Sequence, residues 1–465
     1  MADTFDFIPT KIEWNEIHIK ILQDLFLAFD SAGVRYVILK NDEGLPFENH
    51  SKDVDIVIEP GKYKLAAEII RTVYRQNQVQ YYKIHKFERL RCWYGFNVDI
   101  PFAIHIDLLE GFLHKGFEMF PFELIYQNAH KNVNGVYVLN SVFGNVILLL
   151  HSTICYHRIK EKYAQSICNE YERNKICIND ILYQLFDKRA SSKLITLLSD
   201  NDFHGIEKLG RWFSHQSKKR IIIKRPFFTI YNVFDFLWEK VSRIILNLDR
   251  YNMFFTVHAP DGTGKTTFIK SLAEKLGYFY VCDPKDLCRI YHFRPLLLPN
   301  LGAMGEKTGV MKQDTNFTQP HRAKQANRVS SFIRMTYYWL DYVMGVPLIL
   351  RKNAQFDKIT IFDRYIYDFL VDPRRSRINL PYWLRRLFTR LVIQPRIVFV
   401  LDAPAEVIYK RKQELTPEEI SRQLKEFRKL SLLGNRYCRL DATKSPEEIA
   451  NDAIKIILDN FTKKL

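Results

Sequence analysis

Apolar positions along the chain follow two patterns, one typical of β-strands and one typical of α-helices. Short, mostly apolar segments bounded by polar or turn residues occur at 34–39, 54–58 and 103–109, and again at 254–257 and 397–401. Segments of this length predict strands, and an uninterrupted apolar run such as 397–401 is typical of a strand buried on both faces of a parallel sheet. The pattern therefore predicts a fold with at least two groups of strands.

A different spacing between 325 and 344 predicts a helix. Its large apolar residues recur every three or four positions, which is the period of one helical face. Those residues are Phe332, Met335, Tyr338, Trp339 and Tyr342. We interpret this stripe as core packing, with Arg328 and Arg334 on other faces. Helices of this kind between predicted strands indicate an α/β fold class.

The length of 465 residues exceeds that of one ordinary domain. We expect an α/β domain at 1–121, a mostly helical middle region at 122–248, and a second α/β domain at 249–465 whose parallel sheet is flanked by helices. No apolar run reaches the roughly 18 residues that cross a bilayer, and the first residues lack the basic start of a signal peptide. These features predict a cytoplasmic location.

The formal net charge of +17 indicates an anionic partner. Charge alone does not choose among a nucleotide, a phosphorylated metabolite, a nucleic acid and a lipid surface. We find no zinc finger or RNP sequence, so a nucleic acid is the partner we expect least. The oligomeric state leaves no signal in the sequence.

A glycine-rich loop between a predicted strand and a predicted helix carries the strongest chemical signal. In the segment 259–267, Gly262 and Gly264 let the backbone N–H groups point inward, and the following helix N-terminus adds positive potential. Lys265 is placed to reach the β- and γ-phosphates, and Thr266 offers a hydroxyl to Mg²⁺. The consensus has glycine where Ala259 stands. We predict an ATP and Mg²⁺ site formed by Asp261, Gly262, Thr263, Gly264, Lys265, Thr266 and Thr267.

Two further segments complete the expected site. The apolar run 359–362 ends in Asp363 and Arg364, which puts a carboxylate at the end of a strand where it can organise a metal ion beside the loop. The basic segment 409–412 has the composition of a lid whose cations stabilise a phosphoryl group in transfer. Alternatively, this segment is a charged helix that is exposed to solvent and has no role in catalysis.

These motifs, in this order, resemble the thymidylate kinase-like family over roughly residues 250–465. The segments that carry the resemblance are D-G-T-G-K-T-T at 261–267, D-R-Y at 363–365, V-L-D-A-P-A-E-V-I-Y-K-R-K at 400–412 and L-D-A-T-K-S-P-E-E-I at 440–449.

The resemblance implies a role for each matching residue. Lys265 and Thr266 would hold ATP and Mg²⁺, and Asp363 would act on the metal or the acceptor side. Arg364 would contact the acceptor phosphate, and Arg411 would belong to the lid. Asp441 and Ala442 would lie near the adenine.

The chain also departs from that family. The acceptor-side R-E-P-G-type sequence is not evident, and 282–284 and 292–295 read C-D-P and H-F-R-P instead. Basic insertions at 374–377 and 383–386 are further differences. The resemblance therefore implies a kinase fold and does not imply thymidine monophosphate as the acceptor.

The N-terminal part contains a second candidate site made of carboxylates. Asp53 and Asp55 alternate along a predicted strand and so face one side, and Asp107 lies on another apolar strand. Three such carboxylates can hold two Mg²⁺ ions and organise attack on a nucleotide α-phosphate.

This arrangement resembles the nucleotidyltransferase superfamily over roughly residues 15–115. The family's Gly-Ser before the first acids is replaced here by the sequence at 39–46. Two hypotheses stay open. The domain has an active two-metal site, or it is a degenerate domain that binds a substrate or has a structural role.

A basic segment followed by aromatic residues lies at 218–240. Such a segment can contact an anionic membrane surface, or it can pack between domains while its lysines stay solvated. We expect the packing arrangement.

The combined signals predict a P-loop kinase that uses ATP and Mg²⁺ to phosphorylate a small acceptor, such as a nucleotide, a sugar or a sugar-phosphate precursor. A nucleotidyltransferase activity could act on the same product, as suits surface-polysaccharide precursor synthesis. The alternatives are a nucleoside monophosphate kinase with an accessory domain and a regulatory NTPase that binds nucleic acid.

Overall fold

The computed structural model describes residues 6–40, 44–49, 51, 53–85, 88–100, 102–245, 253–299, 326–355, 357–431, 434 and 436–462. The chain forms two compact units, one of residues 12–242 and one of residues 1–11 with 243–465. The predicted boundary at 121/122 falls inside the first unit, and the one at 248/249 lies outside the described residues. The α/β class is confirmed for both units.

The first unit is built on a seven-stranded mixed sheet with the order β3-β4-β5-β2-β1-β9-β8. β2 pairs parallel with β5 and antiparallel with β1, and β1 pairs parallel with β9. A separate hairpin joins β6 and β7. The strands are β1 (Tyr36–Ile38), β2 (Val54–Ile58), β3 (Gln80–His85), β4 (Leu90–Asn97), β5 (Phe102–Glu110), β6 (Phe112–His114), β7 (Phe117–Phe120), β8 (Ala129–Lys131) and β9 (Tyr137–Leu139).

Helices cover both faces of this sheet. The first helix begins at an Asn15 cap, whose side chain accepts hydrogen bonds from the N–H groups of Ile17 and His18. The last helix extends into residues of the second unit. The helices are α1 (Glu16–Ser31), α2 (Tyr63–Gln76), α3 (Phe122–Gln127), α4 (Ser141–His151, continued by a π-helical turn at Ser152–Tyr156), α5 (Glu161–Leu185), α6 (Lys188–Ser199), α7 (Phe203–Lys208), α8 (Gly210–Lys224) and α9 (Pro226–Ile245).

Alternation along the strands explains why the helical middle region belongs to this unit. Tyr36 and Ile38 face the core that contains α1 and α2. Val37, between them, points to the opposite face and joins the core that contains Leu182 and Phe213 of the middle helices. A single sheet therefore supplies apolar surface to both layers, and the middle helices cannot be separated from it without exposing that surface.

The second unit contains a five-stranded sheet with the order β11-β12-β10-β13-β14, in which every neighbouring pair is parallel. The strands are β10 (Phe254–His258), β11 (Cys288–His292), β12 (Ile359–Asp363), β13 (Ile397–Asp402) and β14 (Tyr437–Asp441). The helices are α10 (Lys265–Phe279), α11 (Pro284–Leu287), α12 (Arg328–Gln355), α13 (Asp368–Val371), α14 (Tyr382–Arg390), α15 (Ala405–Arg411), α16 (Pro417–Ser431) and α17 (Pro446–Thr462).

The helix predicted at 325–344 is part of the longer α12, with Gln325 outside the described residues. Met335 and Tyr342 of the predicted stripe are fully buried, as expected for core positions. Phe332 is half exposed, so the stripe is only partly a core face.

Residues before 12 also belong to the second unit, in contrast to the predicted domain at 1–121. The Thr10 N–H donates to Asp283 Oδ1 at 3.0 Å, and its hydroxyl donates to the Cys282 carbonyl at 2.8 Å. The Ile8 N–H donates to Glu274 Oε1 at 3.1 Å. Short extended segments carry no periodic signal that reveals their distant partners, which is why the sequence did not show this.

Among the described residues no helix is long and apolar enough to cross a membrane.

Candidate functional site

The loop at 259–264 connects the central strand β10 to the helix α10. Gly262 and Gly264 have φ values of +87° and +97°, a left-handed conformation that favours glycine. The side chains of Thr266 and Thr267 are exposed in the first turn of α10. The predicted strand, loop and helix therefore exist, and the N-terminus of α10 is accessible to an anion.

Lys265 is buried, and its ammonium group folds back onto the loop. Its Nζ donates to the carbonyls of Ala259 at 3.1 Å and Pro260 at 3.0 Å, and it lies 3.4 Å from Asp261 Oδ1. Burial and the nearby Arg364 lower the pKa of Lys265 to about 8. A cation held in this way is poised to exchange weak carbonyl contacts for the oxygens of a phosphate.

Asp261 lies at the centre of a group of cations. Its carboxylate accepts hydrogen bonds from Arg364 and from Arg375, the latter at 2.7 Å, and also lies near Lys265. Burial opposes ionisation, but these three cations hold the pKa of Asp261 well below its usual range. Asp261 thus pairs with cations of the protein, and its contact with the nucleotide stays a prediction.

Arg364 connects this group to a buried ion-pair chain. Its Nη1 donates to Asp368 Oδ2 at 2.8 Å, and Asp368 Oδ1 lies 3.0 Å from His258 Nδ1. The Arg364 and Asp368 side chains are 5% and 4% exposed. Arg364 also has a φ of +72°, an uncommon conformation for a residue with a side chain. Strain of this kind is often stored at functional sites.

Asp363 ends β12 beside β10, where Val257 is its register partner. One of its oxygens lies 3.3 Å from His292 Nδ1, and the other, Oδ1, is buried without a hydrogen-bond partner among the described residues. Although burial opposes ionisation, His292 and Lys265 lower the pKa of Asp363. An ionised carboxylate with an unsatisfied oxygen is the kind of oxygen ligand that Mg²⁺ requires.

Arg411 contacts two other predicted segments, and its assignment to a lid stays a prediction. Its Nη1 donates to the Ala442 carbonyl at 3.0 Å and lies 3.4 Å from the Thr263 carbonyl. The loop backbone at Gly262 also lies close to Lys412. A Cβ added to Gly262 would lie only 2.8 Å from Lys412 Cβ. Ala442 is buried. The segment 405–412 therefore contacts both 259–267 and 440–442.

Asp441 is placed differently from Ala442. It is exposed, and its Oδ1 accepts hydrogen bonds from the N–H and the hydroxyl of Thr443, at 2.9 and 2.6 Å. These bonds lower the pKa of Asp441. The side chain therefore shapes the turn after β14.

The three carboxylates predicted in the first unit come together as expected from the strand pattern. Asp55 and Asp107 are direct register partners on the parallel pair β2 and β5, and Asp53 precedes β2 on the same side. Their oxygens lie within 4.8 Å of one another. Asp55 shares its face of the sheet with Val57, so the carboxylates lie on the side that the middle helices cover.

Lys40 partly neutralises this cluster through an ion pair of 3.0 Å with Asp55. Burial raises the pKa of Asp55 to about 6, with Lys40 lowering it and Asp53 and Asp107 raising it. Burial opposes the charge of Lys40, yet Asp55 and Asp53 raise its pKa. Carboxylates whose repulsion raises a pKa are stabilised by a divalent cation, so the donor set fits Mg²⁺.

Sequence patterns missed several residues of these sites. Three of them, His292, Asp368 and Arg375, contact predicted residues of the second unit. His258 contacts Asp368, and His105 Nε2 lies 2.8 Å from Asp107 Oδ1 in the first unit. Asp368 had one usable signal, its spacing of four from Arg364, which is typical of an ion pair within a helix. In the structure the pair forms although Arg364 precedes α13 and has a left-handed φ.

Comparison with known proteins adds no identity. No protein-family model matches this chain, and no curated protein matches it at a significant level.

Proposed function

We propose that the second unit is an ATP- and Mg²⁺-dependent phosphotransferase that acts on a small acceptor. One observation carries the proposal. The loop that leads to Lys265 follows β10, and Asp363 ends the neighbouring β12 with an Oδ1 that lacks a hydrogen-bond partner among the described residues. Lys265 lies near enough to lower the pKa of Asp363. Such a site offers backbone N–H groups and a cation to phosphates, together with oxygen ligands for a divalent ion.

Each residue has a distinct task in this proposal. Lys265 leaves the carbonyls of Ala259 and Pro260 and contacts the β- and γ-phosphates. Thr266 and Asp363 hold Mg²⁺, which would neutralise charge on the phosphates. Arg364, fixed by Asp261 and Asp368, presents a cation that does not depend on ligand binding for its position.

The proposed acceptor is a nucleotide, a sugar or a sugar phosphate, and the sequence does not choose among these three. Use of ATP fits the cytoplasmic location expected from the sequence. Purified protein should be incubated with Mg-ATP and a panel of these acceptors, and the product masses recorded. Product from thymidine monophosphate alone would favour a nucleoside monophosphate kinase, whereas a sugar product would favour precursor synthesis.

The decisive variant is Lys265→Ala, with Lys270→Ala on the same helix as the matched control. We expect the first to lose phosphoryl transfer by about a thousandfold or more, because a contact to the transferring group is lost. The control should keep its rate. Equal rates for the two variants would contradict the assignment of the loop.

A second candidate function, nucleotidyl transfer by the first unit, is supported by the convergence of Asp53, Asp55 and Asp107 within 4.8 Å. Asp53→Asn or Asp55→Asn should abolish nucleotidyl transfer and weaken Mn²⁺ binding, measured by calorimetry. Asp180→Asn, at an exposed position on α5, is the control. Unchanged Mn²⁺ binding and transfer would leave this unit with a supporting role.

A further inference from the structure

The helix α9 turns its polar side inward and its apolar side to solvent. Thr229 and Asn232 are 3% and 2% exposed. The exposed apolar residues fall at spacings of three and four and so form one continuous stripe along the helix. They are Phe227, Ile230, Tyr231, Phe234, Leu237 and Trp238, which are 87%, 65%, 62%, 67%, 51% and 57% exposed.

Contacts on the polar side fix this orientation. Asn232 Oδ1 accepts a hydrogen bond from Arg89 Nη2 at 2.8 Å, and Glu239 Oε2 accepts one from the Glu88 N–H at 3.2 Å. A Cβ on Gly116 would lie 2.6 Å from Val233 Cα, so the two backbones are in close approach. Rolling the helix to bury its apolar stripe would break these contacts. These contacts of the polar face lie within the first unit, and packing of 218–240 between domains stays a prediction.

Cations cluster where α9 begins. Lys219, Lys224 and Arg225 are exposed near the end of α8, next to the exposed Ile222 and Ile223. The positive charge of this cluster lies at one end of the apolar stripe.

A cavity of about 380 Å³ opens beside these cations. Arg220, Lys224 and Arg225 contribute to its lining, and Glu118 is its acidic residue, paired with Arg225 at 2.7 Å. Burial, together with Arg220 and Arg225, lowers the pKa of Lys224. The Arg220 Nε is buried without a hydrogen-bond partner among the described residues. Arg220 donates to the carbonyls of Phe186 and Tyr183, and Lys224 donates to that of Gln184, so Glu118 is the lining carboxylate that offsets the three cations. The excess positive charge would stabilise an anion at this cavity.

We propose that the apolar stripe of α9 and the basic cluster at 218–225 form a docking surface for a bilayer that contains anionic phospholipids. The aromatic side chains enter the region between headgroups and acyl chains, where Trp and Tyr are favoured. The cations of the cavity contact lipid phosphates. The helix lies in the plane of the interface and does not cross it. This proposal does not depend on either activity proposed above.

Flotation of the full-length protein with vesicles tests the proposal. Vesicles of phosphatidylcholine alone are compared with vesicles in which a third of the lipid is phosphatidylglycerol. We expect binding to the anionic vesicles that weakens with salt. Phe234→Asp should reduce this binding by about tenfold or more, because it places a charge in the apolar stripe. Ile176→Asp on α5, at a position 81% exposed, is the matched control and should bind normally.

Two further variants separate the parts of the surface. Lys224→Glu should lower binding to anionic vesicles and leave any binding to phosphatidylcholine unchanged. Trp238→Phe should keep flotation and remove the blue shift of tryptophan emission that vesicles cause. Circular dichroism melts verify that each variant is folded, which the exposure of the substituted positions favours.

Other results would overturn the proposal. Failure of the wild-type protein to float with anionic vesicles would do so, as would equal flotation of Phe234→Asp and wild type. If light scattering instead shows that Phe234→Asp dissociates an oligomer and no vesicle binding occurs, the stripe is an interface with a second copy.

Discussion

The two candidate sites are opposite in their electrostatic design. In the second unit, the buried Asp368 and the half-buried Asp261 lie among cations, and the pKa of each carboxyl is held well below its usual range. In the first unit, burial raises the pKa of Asp55 to about 6 despite the Lys40 ion pair. The first arrangement suits anionic ligands, because cations are already in place. The second suits a divalent cation, which would relieve the repulsion of three carboxylates.

The difference also shows how each site is held together without a ligand. The cations of the second unit are fixed by acids of the same unit, so their orientation is set by folding. The carboxylates of the first unit are fixed by strand register, since Asp55 and Asp107 must be neighbours on β2 and β5. Substitutions at the ion pairs of the second unit should therefore mainly change stability, whereas substitutions at the carboxylate cluster of the first unit should mainly change the affinity for a divalent ion.

The largest effect is expected from Arg364→Ala. This change removes a principal partner from the buried Asp368 and from the half-buried Asp261, so we expect the free energy of unfolding of the second unit to fall by about 3 kcal/mol or more. Urea unfolding measures the change. Arg428→Ala, which removes an exposed pair with Asp402, should cost less than about 1 kcal/mol. Similar losses for the two variants would contradict the buried ion-pair chain.

A smaller effect is expected from Glu88→Gln, which tests a raised carboxyl pKa outside both sites. Burial and the charge of Glu239 raise the pKa of Glu88 to about 7. Hydrogen bonds from the backbone of Lys115 and Gly116, together with the Lys115 charge, oppose this shift. Lys218 and Cys155 are further titratable groups close to Glu88.

Because the folded pKa exceeds the ordinary value, protonation contributes stability that is complete below about pH 4.5 and is lost as the pH rises through 7. The wild type should therefore lose about 1–2 kcal/mol from pH 5 to 8 relative to Glu88→Gln. Thermal melts across this range measure the difference. Parallel pH profiles would show that Glu88 does not titrate as described.

The smallest effect is expected from Lys40→Ala in the first unit. Lys40 competes with a divalent ion for Asp55, so its removal should increase Mn²⁺ affinity by about three- to tenfold at pH 8. Calorimetry measures the affinity, and Lys62→Ala provides a control. A decrease in affinity would mean that Lys40 supports the carboxylates and does not compete at them.

Much of the candidate chemistry could be predicted from short stretches of sequence. Gly262, Gly264 and Lys265 fall within four consecutive positions, and the conformation of the glycines follows from local backbone preference. Asp53, Asp55 and Asp107 follow from the two-residue period of strands. The fold class followed from strand and helix patterns in the same way.

The remaining features depended on contacts between distant residues. The pairing of Asp261 with Arg375 spans 114 positions, and that of Thr10 with Asp283 spans 273. No periodicity encodes such partners. The orientation of α9 was also hidden, since an amphipathic pattern shows that two faces differ and does not show which one is buried.

By itself, then, the sequence determined the elements whose causes are local, namely the glycine loop and the helix after it, the strands that carry carboxylates, and the two faces of α9. The tertiary structure alone decided which charges meet, that the middle helices share a core with the first sheet, and that the aromatic face of α9 lies outside. The physical reason is that backbone propensity acts within a few residues, whereas burial and ion pairing are set by surfaces that only folding brings together.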